Sequence, residues 1–597
     1  MNTHSFHIPV MGIGFTVDTP LKVSHLGIDS VISLVDDILL EKLRKMYCSL
    51  FEEPYDEISE NLEDFRAKRI TSYLNLINTV AQKKFKELKN TADGISENIK
   101  QYFDILPETL VLKQRFNNLI SKCYTIKELK DFLEENLAMG SIDVNIMTKV
   151  DKENFHKKEK LPTIYNDAHA ALRGYANSNL SSSVIFSAGM NPRLYSYLEE
   201  FEDFYPNERG ILKKKIVLKV SDYRSALIQG KFLAKKGLWV SEYRIESGLN
   251  CGGHAFATDG YLLGPILAQF RDKREEFMQE TNSILIKALS SKKRYVPQSP
   301  LPIKFTAQGG IGTAEEHKFL LEHYKIDSIG WGTPFLLVPE ATTVDNSSLE
   351  KLVKAKEDDL YLSNISPLGI PFHSLKGNTK DEEKIALIRK ERPGSSCPNK
   401  FVALNKEFTE KGICTASRQY QSLKINELEQ SGLTPEIYQK ELSKIVEKSC
   451  TCVGLGTSAL LKYKLDTKKV SNGVSLCPGP NLAYFSNIMD LKEIIGHIYG
   501  ESNVIKRTDR PNIFIKELTI YIDFIKTKVE EAGSSIDVKQ KKYNALFVKN
   551  LKDSIVYYRE VFSNNVNEFE SSKSKIMNDL EINESILNQL KLKIDTT

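Results

Sequence analysis

The 597-residue sequence contains no apolar run near the roughly 18 residues that a membrane-spanning helix needs. A helical membrane protein is therefore not expected. Charge of either sign in excess is also missing, since 82 Lys and Arg against 78 Asp and Glu leave only +4. Without a basic excess or a basic stripe, nucleic acid is not an expected partner. Cysteine is scarce: eight residues in so long a chain do not make a disulfide scaffold. The N-terminus, MNTHSFHIPVMGIGF, lacks the basic end and long apolar segment of a secretory signal, so reduced thiols and a cytoplasmic protein are expected. Repeats, low-complexity tracts, paired catalytic carboxylates and metal-hydrolase motifs are absent too, which turns the expectation away from sugars and phosphoesters. What remains is ordinary globular composition, 41% hydrophobic and 27% charged. The length implies several domains, or fewer if one is an α/β barrel.

Short β-branched runs bounded by Gly, Pro or Asn, each followed by a helical pattern, predict β/α alternation and a parallel sheet. Eight such runs are present: Pro9 to Phe15, Ser30 to Val35, Asp143 to Thr148, Ser183 to Ala188, Lys215 to Val220, Leu238 to Ile245, Ile303 to Gln308 and Ser328 to Gly332. Several are apolar at consecutive positions, as in strands covered on both faces. Eight units predict a (β/α)8 TIM barrel over residues 1–345, with its active site on the loops after the strands; a doubly wound open sheet has the same periodicity. Residues 45–140 fall between the second and third strands and carry apolar residues at helical spacing, which predicts a helical insertion. After residue 345 the rhythm stops. Residues 346–505 form a mixed region holding five cysteines, and 506–597 are helical and charge-rich. The terminal helices are expected to pack on the barrel or on a second subunit of a homo-oligomer.

The strongest chemical pattern runs from Phe305 to Thr342. One strand ends in Gly309-Gly310, a helix follows, and the next strand ends in Gly332-Thr333. Glycines at strand ends let main-chain N–H groups approach an anion, and barrels commonly hold phosphate after strands seven and eight. Tight turns alone would explain either pair singly; both together predict a phosphate site. The second pattern, ESGLNCGGHAFATDG, follows the sixth strand. Gly252 and Gly253 allow close approach of a flat ligand, and His254 is placed at the barrel mouth as a general base. Cys251 reads as a small buried thiol. Glu315, Glu316, His317 and His323, on the helix after GGIGT, are expected at the surface.

These residues carry a family resemblance. CGGH at Cys251 to His254, GGI at Gly309 to Ile311 and GTPFL at Gly332 to Leu336 resemble, in that order, the nitronate monooxygenase family of FMN-dependent barrels. The same layout occurs in the related flavin enoyl-acyl-carrier-protein reductases and in the enoyl reductase of polyunsaturated fatty acid synthases. DVNIM resembles the strand bearing an FMN-contacting asparagine, here Asn145, and LKVSDYRSA the segment lining the flavin, here with Lys219 facing the ring. The opening segment from Pro9 resembles the family's first strand and TP-containing helix. The resemblance implies FMN with its phosphate at Gly309, Gly310, Gly332 and Thr333, and His254 facing the substrate. It implies either oxidation of a nitronate-type carbon acid or NAD(P)H-dependent reduction of an enoyl thioester, the redox chemistry belonging to the cofactor; the alternative outside enzymology is a non-catalytic flavoprotein interaction module whose C-terminal region docks a partner. The chain departs from the family in having CGGH for AGGH, in its insertion, and in some 250 residues after the barrel.

Of Cys397, Cys414, Cys450, Cys452 and Cys477, four sit beside Pro or Gly or in a C-x-C pair, which suits metal ligation. An iron–sulfur cluster near the flavin or a zinc ion would use them, although their spacings match no standard pattern. The alternative is five free buried thiols.

Overall fold

The computed structural model describes residues 3–90, 94–122, 124–187, 189–252, 259–532, 537–564 and 569–596. Eight parallel strands close into a barrel: β1 (Phe6–Ile8), β2 (Asp29–Ser33), β3 (Ile142–Met147), β4 (Ser183–Ser187), β5 (Lys215–Val220), β6 (Val240–Glu246), β7 (Lys304–Gln308) and β8 (Ser328–Gly330). Each pairs with its neighbour in sequence, and β1 pairs with β8 through Phe6 and Ile329. The fold is a (β/α)8 barrel. Val31, Ile185 and Val217 form a small apolar cluster of their own within it. Towards the strand N-termini the filling is charged: Glu242 pairs with Arg244 at 2.7 Å and accepts from the Thr306 hydroxyl at 2.6 Å.

The first strand lies earlier than its sequence suggests. Pro9 to Phe15 is a turn-rich segment over the barrel mouth, not a strand. Pro9 has no N–H to give to a ladder, and Gly12 adopts φ +59°. Gly14 instead donates to the carbonyl of Leu455, 441 positions away in sequence, at 2.9 Å.

Part of the predicted insertion belongs to the barrel. Helix α1 (Asp37–Leu50) leads to the long α2 (Phe65–Leu88), which buries Ile70, Tyr73, Leu74 and Ile77. Alongside it runs α6 (Asp167–Ala176), after the shorter α3 (Glu97–Asp104), α4 (Val111–Ile120) and α5 (Ile126–Asn136). Gly174 of α6 permits this approach, because a Cβ there would stand 2.8 Å from the Ala67 carbonyl oxygen and the Ile70 side chain. Only α3 to α5 are an addition. They are held by aromatic packing, with Phe103 and Phe116 stacked at 3.6 Å.

The ring continues with α7 (Tyr223–Ala234), α8 (Leu263–Asp272), α9 (Arg274–Ser291) and α10 (Ala314–His323). Beyond it, α11 (Thr451–Lys462) is buried along nearly its whole length, which its glycines and alanine allow. The terminal helices α12 (Ile513–Ala532), α13 (Val538–Ser563) and α14 (Lys573–Thr596) pack on one another, and α12 and α13 also lie on α8. Phe319 of α10 meets Phe514 and Phe569 edge-on, so the C-terminal helices cover the barrel's own helices. No helix among the described residues is long and apolar enough to cross a membrane.

Candidate functional site

The strand C-termini open into a small cavity of about 80 Å³. Its floor comes from the barrel: Ser33 of β2, Asn145 and Met147 of β3, Ser187 of β4, Lys219 of β5 and Glu246 of β6. Strand register explains this convergence, since Ser33 pairs with Asn145, Asn145 with Ile185, and Glu246 with Gln308. One wall is Asn250, Cys251 and Gly252; another is Val10, Gly12 and Ile13. The roof was not legible in the motifs. It consists of Ser366 to Leu368, Val402, Thr451, Cys452 and Leu455, all from the region after the barrel.

Polar contacts order the floor. Lys219 Nζ lies 2.7 Å from Glu246 Oε1, which also accepts from Asn250 Nδ2 at 2.5 Å and Gln308 Nε2 at 2.8 Å. Three donors therefore hold one carboxylate, and the carboxylate holds the lysine in place. Asn145 donates through Nδ2 to Ser187 Oγ at 3.2 Å, while its buried Oδ1 has no partner among the described residues. Glu246, Asn250, Gln308 and Ser187 are functional candidates that motif reading missed. The signal was available for Glu246, a lone acid at the end of a barrel strand.

Of the residues expected to bind a cofactor, Asn145, Lys219 and Gly252 line the cavity. Gly253 and His254 lie outside the described residues. Gly309, Gly310, Gly332 and Thr333 come together at the neighbouring rim, but the chain packs on them. A Cβ on Gly310 would meet the Leu249 side chain at 2.5 Å, and one on Gly332 would meet Cys251 at 3.1 Å. Gly479, of the CPGPN segment, sits against Thr333 and Leu249 so closely that a Cβ would stand 2.7 Å from each. The cavity stops short of this rim.

The loop after β7 is also held from outside. Arg510 donates to the Gly310 carbonyl at 3.1 Å and forms a two-pronged ion pair with Glu316. Glu316 in turn accepts from the Gly312 N–H at 2.9 Å, so its carboxylate sits at the N-terminal end of α10. Glu316 and His317 are thus buried, against the expectation of a surface position. His317 accepts from Trp331 Nε1 at 3.0 Å, and burial pushes its pKa down to about 3. Asn481 donates to the Ile311 carbonyl, which gives that residue a structural role.

The cysteines separate into two groups. Cys477 lies beside Cys251, whose thiol burial pushes up to about 11. Cys397, Cys414, Cys450 and Cys452 gather elsewhere as free thiols. Among the described residues no group of three or more His, Cys, Asp or Glu is arranged to hold a metal ion.

No protein-family model matches the chain, and no curated protein matches it by sequence. Among solved structures it is similar to FabK from Thermotoga maritima, with 13% identity over 68% of this chain and 86% of that one, at a TM-score of 0.29. The enoyl reductase domain of MlnA from the macrolactin cluster of Bacillus amyloliquefaciens is 16% identical over 71% and 89%, with a TM-score of 0.32. A nitroalkane oxidase from Streptomyces ansochromogenes is 11% identical over 64% and 84%, with a TM-score of 0.28. At these values the likeness bears on the barrel alone, which the strand pairing establishes by itself.

Proposed function

We propose that this chain is an FMN-dependent oxidoreductase whose flavin ring occupies the cavity above β3, β5 and β6. The carrying observation is Asn145 Oδ1, a buried acceptor without a partner among the described residues, beside the Lys219–Glu246 pair. A buried polar atom left unpaired costs about 1–3 kcal/mol, which a ligand N–H or O–H would recover. Lys219 supplies fixed positive charge where an electron-rich ring would need it, and Glu246 keeps that lysine in one position. Gly252 leaves room for a flat group against the wall. The sequence resemblance implies the same role for Asn145 and Lys219.

Bound FMN would supply the electron-accepting and electron-donating chemistry. Its phosphate would take the main-chain amides at Gly309, Gly310, Gly332 and Thr333, a rim that Gly479 and Leu249 to Cys251 cover. In this reading His254, which follows β6 in the sequence, removes a carbon-bound proton from a nitroalkane or orients its nitronate. A second reading, reduction of an enoyl thioester with NAD(P)H, is favoured by the apolar roof of Leu368, Val402 and Leu455, which suits an acyl chain. Oxygen consumption with a nitroalkane and no nicotinamide supports the first. Flavin bleaching by NAD(P)H, with reoxidation by an enoyl thioester, supports the second. Absence of both activities in flavin-loaded protein overturns the pair.

A further inference from the structure

Beside the barrel mouth lies a second and larger cavity, about 680 Å³ against about 80 Å³. Three stretches of chain run along the partition between them. Val35, Val150 and Val402 line the mouth, while Asp37, Lys152 and Phe401, one or two positions away from each, line the outer cavity. At these three places a single strip of backbone separates the two spaces. Both are covered by the region after the barrel, which gives Pro398, Asn399 and Phe401 to the outer cavity and Val402 to the mouth. Most of the room for a ligand beside the mouth is therefore in the outer space.

The lining of the outer cavity is amphipathic. Ile38, Phe65, Phe155, Leu161 and Phe401 supply apolar surface, and Asp37, Arg66, Lys152 and Asp167 stand against them. Arg66 is ion-paired to Asp37, donates to the Val35 carbonyl at 2.7 Å and the Asp167 carbonyl at 3.2 Å, and lies 5.7 Å over the Phe401 ring. Asp37 also accepts from Arg69 at 2.9 Å. The two oxygens of the Asp167 carboxylate differ. Oδ1 accepts from Asn154 Nδ2 at 2.8 Å, and Lys152 and Arg66 stand 3.7 and 3.9 Å from the same oxygen. Oδ2 is buried and has no partner among the described residues, in a side chain that lines the cavity and belongs to a residue only 3% exposed. An unpaired buried acceptor is costly, and a ligand donor satisfies it. A neutral N–H suits it better than a free cation, because two cations already stand beside the other oxygen.

We propose that the outer cavity is a second binding subsite, which holds the stem of an elongated substrate and takes an amide N–H of that stem on Asp167, while the reacting end lies in the barrel mouth. The apolar walls cover the aliphatic part of the stem, and the carboxylate fixes its position. Discrimination follows from the same atom. An analogue without the N–H leaves Oδ2 unpaired, and a site built to bond a donor rejects such an analogue more strongly than an apolar pocket rejects a missing methylene. The substrate of this chain is then elongated and amphipathic, with most of its bulk outside the mouth. Its role as part of a substrate site rests on the reading of the mouth as the place of reaction; the binding of an amide stem does not.

The test uses two probes of equal length that differ in one group, N-hexylacetamide and hexyl acetate, titrated calorimetrically into the full chain with and without added FMN. The amide is expected to bind about tenfold more tightly than the ester. In D167N, Asn154 keeps the new amide oxygen at the Oδ1 position, so the NH2 group takes the place of Oδ2 and the preference should vanish. Equal affinity for the two probes in wild type, binding of neither, or a preference that survives in D167N overturns the proposal. Where D167N fails to fold, L161W, which fills part of the cavity, is expected to weaken the amide probe severalfold, and unaltered binding in that variant overturns the proposal as well. Preferential binding of the amide by protein that refuses FMN supports the subsite and removes the flavin, so the two readings fail separately.

Discussion

Glu517, on the C-terminal helix α12, accepts a 2.8 Å hydrogen bond from the hydroxyl of Ser247, the residue that follows barrel strand β6. The same carboxylate accepts from the Gly248 N–H at 3.2 Å and the Leu263 N–H at 2.8 Å. One side chain from the far end of the sequence therefore ties the residues just after β6 to the start of α8. His373 adds a 2.8 Å contact to the Gly248 carbonyl.

Burial raises the Glu517 carboxyl from its ordinary 4.5 to about 7, against the opposing pull of its three hydrogen-bond donors. The folded state then keeps a proton that the unfolded chain releases, so stability from this group falls as pH rises between those two values and is gone above the upper one. A proton held over that interval corresponds to on the order of 3 kcal/mol. Glu517→Gln is expected to flatten this dependence. Urea unfolding at about pH 5 and about pH 8 checks it: wild type should lose more stability than the variant over that interval.

At the cavity floor, Lys219→Met removes the cation that Glu246 holds. Flavin affinity is expected to fall by about tenfold, near 1.4 kcal/mol, with thermal stability little changed. Titration of free flavin followed by fluorescence quenching measures it, and an unchanged affinity would remove Lys219 from the site.

Rim packing makes a separate prediction. If main-chain amides at Gly309, Gly310, Gly332 and Thr333 grip a phosphate, FMN should bind about tenfold or more tightly than riboflavin. Gly310→Ala puts a side chain at φ +84° and 2.5 Å from Leu249, and should erase that preference. Equal binding of the two flavins by wild type would show that the rim stays closed under Gly479.

A stability prediction concerns the barrel's helix ring. Gly174→Val drives its side chain into the Ala67 carbonyl and Ile70 across the α2–α6 contact. Overpacking of this kind costs about 1–3 kcal/mol, and the thermal midpoint should drop accordingly.

Seven of the eight strands, and the placement of Gly252 beside the mouth, could be read from the sequence because β/α periodicity and strand-end position are local signals, whereas Asn145 and Lys219 followed only from the family resemblance. Phe6–Ile8 was displaced by the more hydrophobic-looking run after it, where Pro9 and Gly12 make a turn. Helix α2 could not be told from an insertion, since only its contact with Gly174 shows that it closes the ring. The roof and the Glu517 clamp rest on contacts between residues hundreds of positions apart, which no local pattern encodes. Four of the five C-terminal cysteines did prove to be neighbours, while Cys477 paired off towards Cys251, a division that spacing alone does not reveal.

The central claim is that the barrel mouth holds a flavin against Asn145 and Lys219. Its most direct test is the visible absorption spectrum of the freshly purified full chain, with FMN added back under anaerobic conditions. The account predicts the two bands of an oxidised, protein-bound flavin, present on purification or restored by FMN, and weakened by Lys219→Met. Colourless protein that leaves added FMN free in solution would contradict it.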